Sequence, residues 1–206
     1  MSTLRCNLGT GAGGVLALTL AVMACGGPGH SQTGAVASGE ECRPVTGRIP
    51  ADAPWDSLPG SWRLTLVATS GTTAGKSVQG AMSLHALESA LRQVDRPGYA
   101  PVMVPVIGAT DVALEQVGAV RLGDLHSTDP NQPGLAIWVS QGPDGAVSAI
   151  MRIGQEAIHS DLMRIDGGYT ALYLGLVSAN AIRGGWASGV NRQQASGYFC
   201  AQRVPA

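Results

Sequence analysis

The sequence predicts an all-β domain, an antiparallel up-and-down barrel of about eight strands. Alternation of apolar and polar residues with period two begins at Trp62 and returns through the second half of the chain. Clusters of Gly, Asp, Ser and Thr punctuate these runs at short intervals. No long helical pattern alternates with them, which argues against a parallel βαβ sheet. An antiparallel sheet of this length must protect its edges, and closure into a barrel removes them. A two-sheet sandwich is the alternative.

The first strand is read from Trp62, where Trp62, Leu64, Leu66 and Ala68 alternate with Arg63, Thr65 and Thr69. The turn cluster Ser70 to Gly75 leads into a second alternating run at Val78, Met82 and Leu84, making a hairpin. The region 86–133 is irregular and is expected to hold one or two short helices. Residues 85–94 suit either a short helix or a continued strand. Val102 to Ile107 is β-branched, but Pro101 and Pro105 assign it to an edge or a broken strand. Asp111 to Val117 reads as one or two helical turns, with Asp111 as N-cap and Gly118 as stop. A meander follows, with strands at 135–140, 146–153, 162–165, 169–178, 181–188 and 196–204. Its turns are marked by Gln141 to Gly145, Asp166 to Gly168 and Asn191 to Gln194.

Composition narrows the function classes. The 206 residues carry a formal charge of −1, with 13% charged and 45% hydrophobic residues. Such a chain packs a globular core. It has neither the clustered cations nor the exposed aromatics of a nucleic-acid binder, so no nucleic-acid partner is expected. Arg dominates the cations, with Lys76 the only lysine, which we read as genome composition rather than function.

The first 24 residues read as an export leader. Arg5 precedes an apolar stretch from Gly11 to Ala24. That stretch is shorter than the roughly 20 residues a helix needs to cross about 30 Å of hydrocarbon. Val22-Met23-Ala24-Cys25 resembles the lipobox of bacterial lipoproteins, with Met23 less usual than a smaller residue. The resemblance implies a mature chain beginning at Cys25, its thiol lipidated, in a bacterial cell envelope. The membrane would be the outer one in a Gram-negative cell, with the domain on the periplasmic or extracellular side. The alternative is an ordinary secretory leader with a free Cys25 thiol. Gly26 to Glu41 is rich in Gly and small polar residues, and residues 25–57 are read as a flexible tether. The barrel domain is then 58–206.

Four cysteines are present. Cys6 leaves with the leader and Cys25 takes the lipid. Cys42 and Cys200 remain, near the two ends of the folded region. In an exported chain they are expected to form a disulfide, the alternative being two buried thiols.

Gly60-Ser61-Trp62 sets Gly-x-Trp at the head of the first strand. This resembles the motif of the lipocalins and wider calycins. The resemblance implies that Trp62 closes one barrel end beneath a basic residue from late in the chain, here Arg203 or Arg192. It also implies that a disulfide ties a terminus to the barrel, and that the barrel holds a small hydrophobic ligand or lipid. Trp138, Tyr173 and Trp186 are the candidate lining residues of such a site, with core packing as the plainer alternative. Gly175, Ala181, Gly184, Gly185, Ala187, Gly189 and Gly197 would either leave room inside or let a strongly bent sheet close.

Other chemistries find little support. Ser70 to Ser77 nearly spells a P-loop, but a strand follows where a helix is required. His30, His85, His126 and His159 lack metal-ligand spacing, and no Gly-x-Ser-x-Gly elbow occurs. No catalytic residue, metal or cofactor is therefore expected. The leading expectation is a lipid-anchored, non-enzymatic, ligand-binding barrel. The alternative is an envelope structural or protein-interaction module with a filled barrel, and a hydrolase is a weaker third. The state of the barrel interior separates the first two.

Overall fold

The computed structural model describes residues 42–87, 102–154, 168–190 and 193–205, all within the compact unit Ser38–Ala206. Eight strands form a closed barrel in chain order. They are β1 (Gly60–Ala68), β2 (Ser77–Ala86), β3 (Val102–Thr110), β4 (Leu135–Gln141), β5 (Val147–Ile153), β6 (Tyr169–Val177), β7 (Ala181–Val190) and β8 (Gln193–Arg203). Each pairs antiparallel with the next, and β8 returns to pair with β1. The expected up-and-down barrel is therefore the fold, and its architecture is lipocalin-like.

Alternation does the sorting. On β1, Trp62, Leu64, Leu66 and Ala68 are buried in one core, while Arg63 is exposed. Leu135, Ile137 and Val139 of β4, Ala149 and Met151 of β5, and Leu172 and Leu174 of β6 join the same core. Phe199 and Ala201 of β8 complete it. The near-P-loop segment is a turn, in which the N–H of Gly75 donates to the Ala68 carbonyl and that of Lys76 to Thr73.

Several expectations are corrected. Over Val106–Thr110 the β3 segment is no edge, because it pairs with both β2 and β4, whereas Val102 and Met103 pair with β4 alone and the register breaks before Val106, as expected of a broken strand. Pro105 is tolerated because the register against β4 shifts between Met103 and Val106. A prolyl nitrogen at a bulge removes no ladder hydrogen bond. Its carbonyl still accepts the Leu87 N–H, at 3.2 Å. Asp111 does not cap a helix. Its Oδ1 instead accepts the N–H of Ala81 on β2, at 2.6 Å. The helical turn is a 3-10 segment, Leu114–Val117, with Ala113 at its N-cap and left-handed Gly118 at its end. His85 and Ala86 continue β2. The expected flexible tether 25–57 is structured from Cys42 onward. Ile49 bridges to Val147, and Ile49 and Ala53 are buried in the core. The leader, Cys25, the remainder of the 85–94 segment and the expected strand Leu162–Ile165 lie outside the described residues.

Both ends of the barrel are covered. At the end holding Thr110 and the start of β4, the segment after β3 folds inward. Val112, Leu114, Val117, Ala119 and Leu125 are buried in the core. This cover is pinned by hydroxyls: Thr73 Oγ1 donates to the Val117 carbonyl at 2.6 Å, and Thr170 Oγ1 to that of Val120 at 2.8 Å. Ser188 Oγ accepts the Val120 N–H at 2.8 Å. At the opposite end, Ile49, Ala53 and Leu58 enter the core around a short 3-10 segment, Trp55–Ser57.

Cys42 and Cys200 form a disulfide across a sequence separation of 158 residues. Cys200 lies opposite Thr65 of β1 and Arg183 of β7, so the bridge fastens the incoming chain to a strand paired on both sides. Replacing both cysteines with Ser should lower the unfolding free energy by about 2–5 kcal/mol, because a long cross-link restricts the unfolded chain most. Urea melts of the oxidised parent and the double variant measure this, and an unchanged midpoint would refute it.

Candidate functional site

Gly60, Trp62 and Arg203 meet at one barrel end. Trp62 and Arg203 are directly opposite across the β1–β8 seam. The Trp62 side chain is buried, and its indole N–H donates to the Leu58 carbonyl at 2.9 Å. The Arg203 guanidinium lies over the Trp62 ring, 4.5 Å from its centroid. It also donates to three carbonyls: Nε to Ala179 at 2.6 Å, Nη1 to Pro59 at 3.0 Å, and Nη2 to Ser57. One side chain thus ties together the β6–β7 turn, the 3-10 segment and the entry to β1. Gly60 has φ +137°, and a Cβ there would sit 2.5 Å from Arg203 Nη1. The positive φ favours glycine, and a side chain there would also push the guanidinium off its carbonyls. Arg192, the other basic candidate, lies outside the described residues.

Side chains fill the interior. Leu64, Leu66, Leu135, Ile137, Met151, Leu172, Ile182 and Phe199 have no exposed surface. Among the described residues these side chains occupy the barrel interior. The strand glycines serve closure rather than space. A Cβ at Gly197 would collide with the Val67 carbonyl of β1 and lie 2.8 Å from Trp186 Nε1. One at Gly184 would collide with the Tyr173 carbonyl and lie 3.0 Å from the Phe199 ring. These positions let neighbouring strands close up around the Trp186 and Phe199 rings.

The three aromatics expected to line a cavity do not converge. Trp186 faces the core, with its indole N–H donating to the Val67 carbonyl at 3.1 Å. Trp138 lies on the outer face, in register with Ile150. It packs on a small second cluster of Val104, Ile107 and Ala136 with Leu87. The Arg152 guanidinium stacks over it at 4.5 Å. Tyr173 is 42% exposed. Partial burial, and then neighbouring Tyr169, push its phenol above the usual value, so it remains a hydrogen-bond donor at neutral pH. The apolar residues on both faces of β4 thus serve two clusters, one inside and one outside the barrel.

A groove of about 710 Å3 opens at the Trp62 end of the barrel. The Asp52–Ser57 segment forms one side, and Ala86, Leu87 and Met103 to Pro105 form the other. Val104 is buried beneath it, while Met103 is 39% exposed. Three separate segments build this site, so no local motif announces it. Among the described residues no three His, Cys, Asp or Glu come together as a metal site. His85 and His126 are exposed and far apart in the chain, and His30 and His159 lie outside the described residues.

Fold and site define a closed eight-stranded antiparallel barrel of lipocalin-like architecture, with a Trp–Arg lock at one end. No family model matches the chain, and no curated protein matches it. Among solved structures it is similar to the S-type phycobiliprotein lyase CPES from Guillardia theta, at 10% identity and a TM-score of 0.36. That match covers 74% of this chain and 91% of the other. It is also similar to EF1p2_mFAP2b bound to DFHBI, at 10% identity and 0.34, covering 75% and 100%. A third is the redesigned β-barrel mFAP1 bound to DFHBI, at 14% and 0.28, covering 72% and 97%. The barrel assignment rests on this chain's own strand pairings.

Trp62→Ala should cost about 3–5 kcal/mol of stability, as large aromatic truncations in cores do. Arg203→Ala should cost about 1.5–3 kcal/mol through its charge-assisted hydrogen bonds, and Arg203→Lys should recover little, since a point charge cannot span three carbonyls. Chemical denaturation of the three variants tests this. Parent-like stability in Arg203→Ala would remove the lock.

Proposed function

We propose that this chain is a non-catalytic, lipid-anchored module of a bacterial cell envelope, whose filled barrel is a rigid scaffold acting through its outer surface. The observation that carries the reading is the packed interior beneath two covered ends. A lipocalin-type ligand needs space inside the barrel, and here Trp186, Phe199 and their neighbours occupy it. The module reading therefore moves ahead of the interior-ligand reading.

Anchoring through Cys25 draws on the sequence of the leader, in which an apolar stretch ends in Val22-Met23-Ala24-Cys25. Two acyl chains hold a protein on a membrane where one is marginal. The Cys42–Cys200 disulfide is in keeping with export, because such bonds persist in oxidising compartments. The membrane partner is reached through the lipid, and the domain lies on the periplasmic or extracellular side.

Intact mass of the membrane-extracted chain should show Cys25 as the first residue with an acyl modification. An unmodified chain, or membrane attachment indifferent to Cys25→Ser, sinks the anchor. Native mass spectrometry of the same sample should show no stoichiometric fatty acid or neutral lipid beyond the anchor. A co-purifying lipid would restore the interior-ligand reading.

A further inference from the structure

The groove between the 3-10 segment and the β2–β3 edge has the makings of a binding site, and its chemistry selects one class of ligand. We propose that it binds a small organic cation with an aromatic or alkyl body. This deepens the outer-surface reading and rests on it.

Size comes first. A volume of about 710 Å3 falls within the usual span of small-molecule sites, roughly 300–1,000 Å3. The walls come next. Trp55 is half-buried and packs against the core, so its ring is held in place. Leu87 and Pro105 are also half-buried. Met103, exposed in the opposite wall, has an unbranched thioether that adapts to different ligand shapes. An apolar body lying here is taken from water on two sides.

Charge then decides the sign. Asp52 and Asp56 line the groove on either side of the Ala53–Trp55 stretch, and both are exposed. No Lys, Arg or His is among the described lining residues. A carboxylate, sulfonate or phosphate entering the groove meets two like charges. An ammonium or pyridinium-type cation meets two opposite charges and the Trp55 indole in the wall. The indole face attracts cations through its quadrupole. A neutral apolar ligand gains the walls but neither of these terms.

The test uses the full chain in phosphatidylcholine nanodiscs, with empty discs as blank. The probes are thioflavin T, a flat organic cation, and 1-anilinonaphthalene-8-sulfonate, an apolar anion. Thioflavin T should bind saturably, and at least about tenfold more tightly than the anion. Its affinity should fall about threefold to tenfold in Asp52→Asn/Asp56→Asn, and should weaken with salt because exposed charges are screened. Met103 is exposed, so its variants should keep the fold. Met103→Lys should weaken thioflavin T binding and Met103→Glu should strengthen it. Equal binding of both dyes, or indifference to the charge variants, overturns the proposal. Absence of any saturable dye binding overturns the groove alone and leaves the filled barrel standing. Saturable binding that ignores every groove variant but places the dye among core residues in NMR shift mapping overturns the filled-barrel reading as well.

Discussion

Strand β1 is hydrogen-bonded on both sides, to β2 along one edge and to β8 along the other. The rest of the molecule depends on that double pairing. Closure gives every strand a neighbour on both sides. It also encloses a narrow interior that a handful of large side chains can fill. The seam requires close backbone approach, and Gly197 permits it where a methyl group would strike the Val67 carbonyl. Trp186 then uses the same carbonyl as its hydrogen-bond acceptor. At one end of the seam, Trp62 and Arg203 face each other and stack. Covalent, hydrogen-bonded and packing links thus converge on β1 and β8.

Much of this architecture was legible in the sequence because period-two alternation is a local signal. Trp62 to Ala68 declares its inward face without reference to anything else. The misread elements share a different cause: their partners are remote in sequence. Pro105 looks like a strand breaker until the pairing with β4 shows β3 bulging there, two of its residues standing against Trp138 alone. Asp111 looks like an N-cap until β2 presents an unpaired N–H from Ala81, thirty positions earlier. Ile49, Ala53 and Leu58 are isolated apolar residues among prolines, with no period to mark them as core.

The aromatic residues show where parity alone fails. Leu135 to Val139 is apolar at every position, so alternation cannot say which side Trp138 takes. Its neighbours on adjacent strands decide. Ile107 and Ala136 form an outer cluster that Trp138 and Leu87 extend. The groove at the Trp62 end was illegible for a related reason. Its walls come from chain segments that no sequence window contains together. A barrel with a full interior displaces function to such composite surfaces, where the connections rather than the strands supply the chemistry.

The disulfide has a mechanical meaning. Tension applied to the chain ahead of Cys42 does not reach β1 through its end at Gly60. It enters at Cys200, inside β8 and three residues before its end. There the ladders to β1 and β7 resist together. A strand pulled from its end unzips one hydrogen bond at a time, whereas one loaded inside both ladders shares the force among several. The segment from Cys42 to Gly60, which closes one end of the barrel, is left outside the load path. A pull on the amino-terminal chain therefore leaves both that plug and the groove beside it undisturbed.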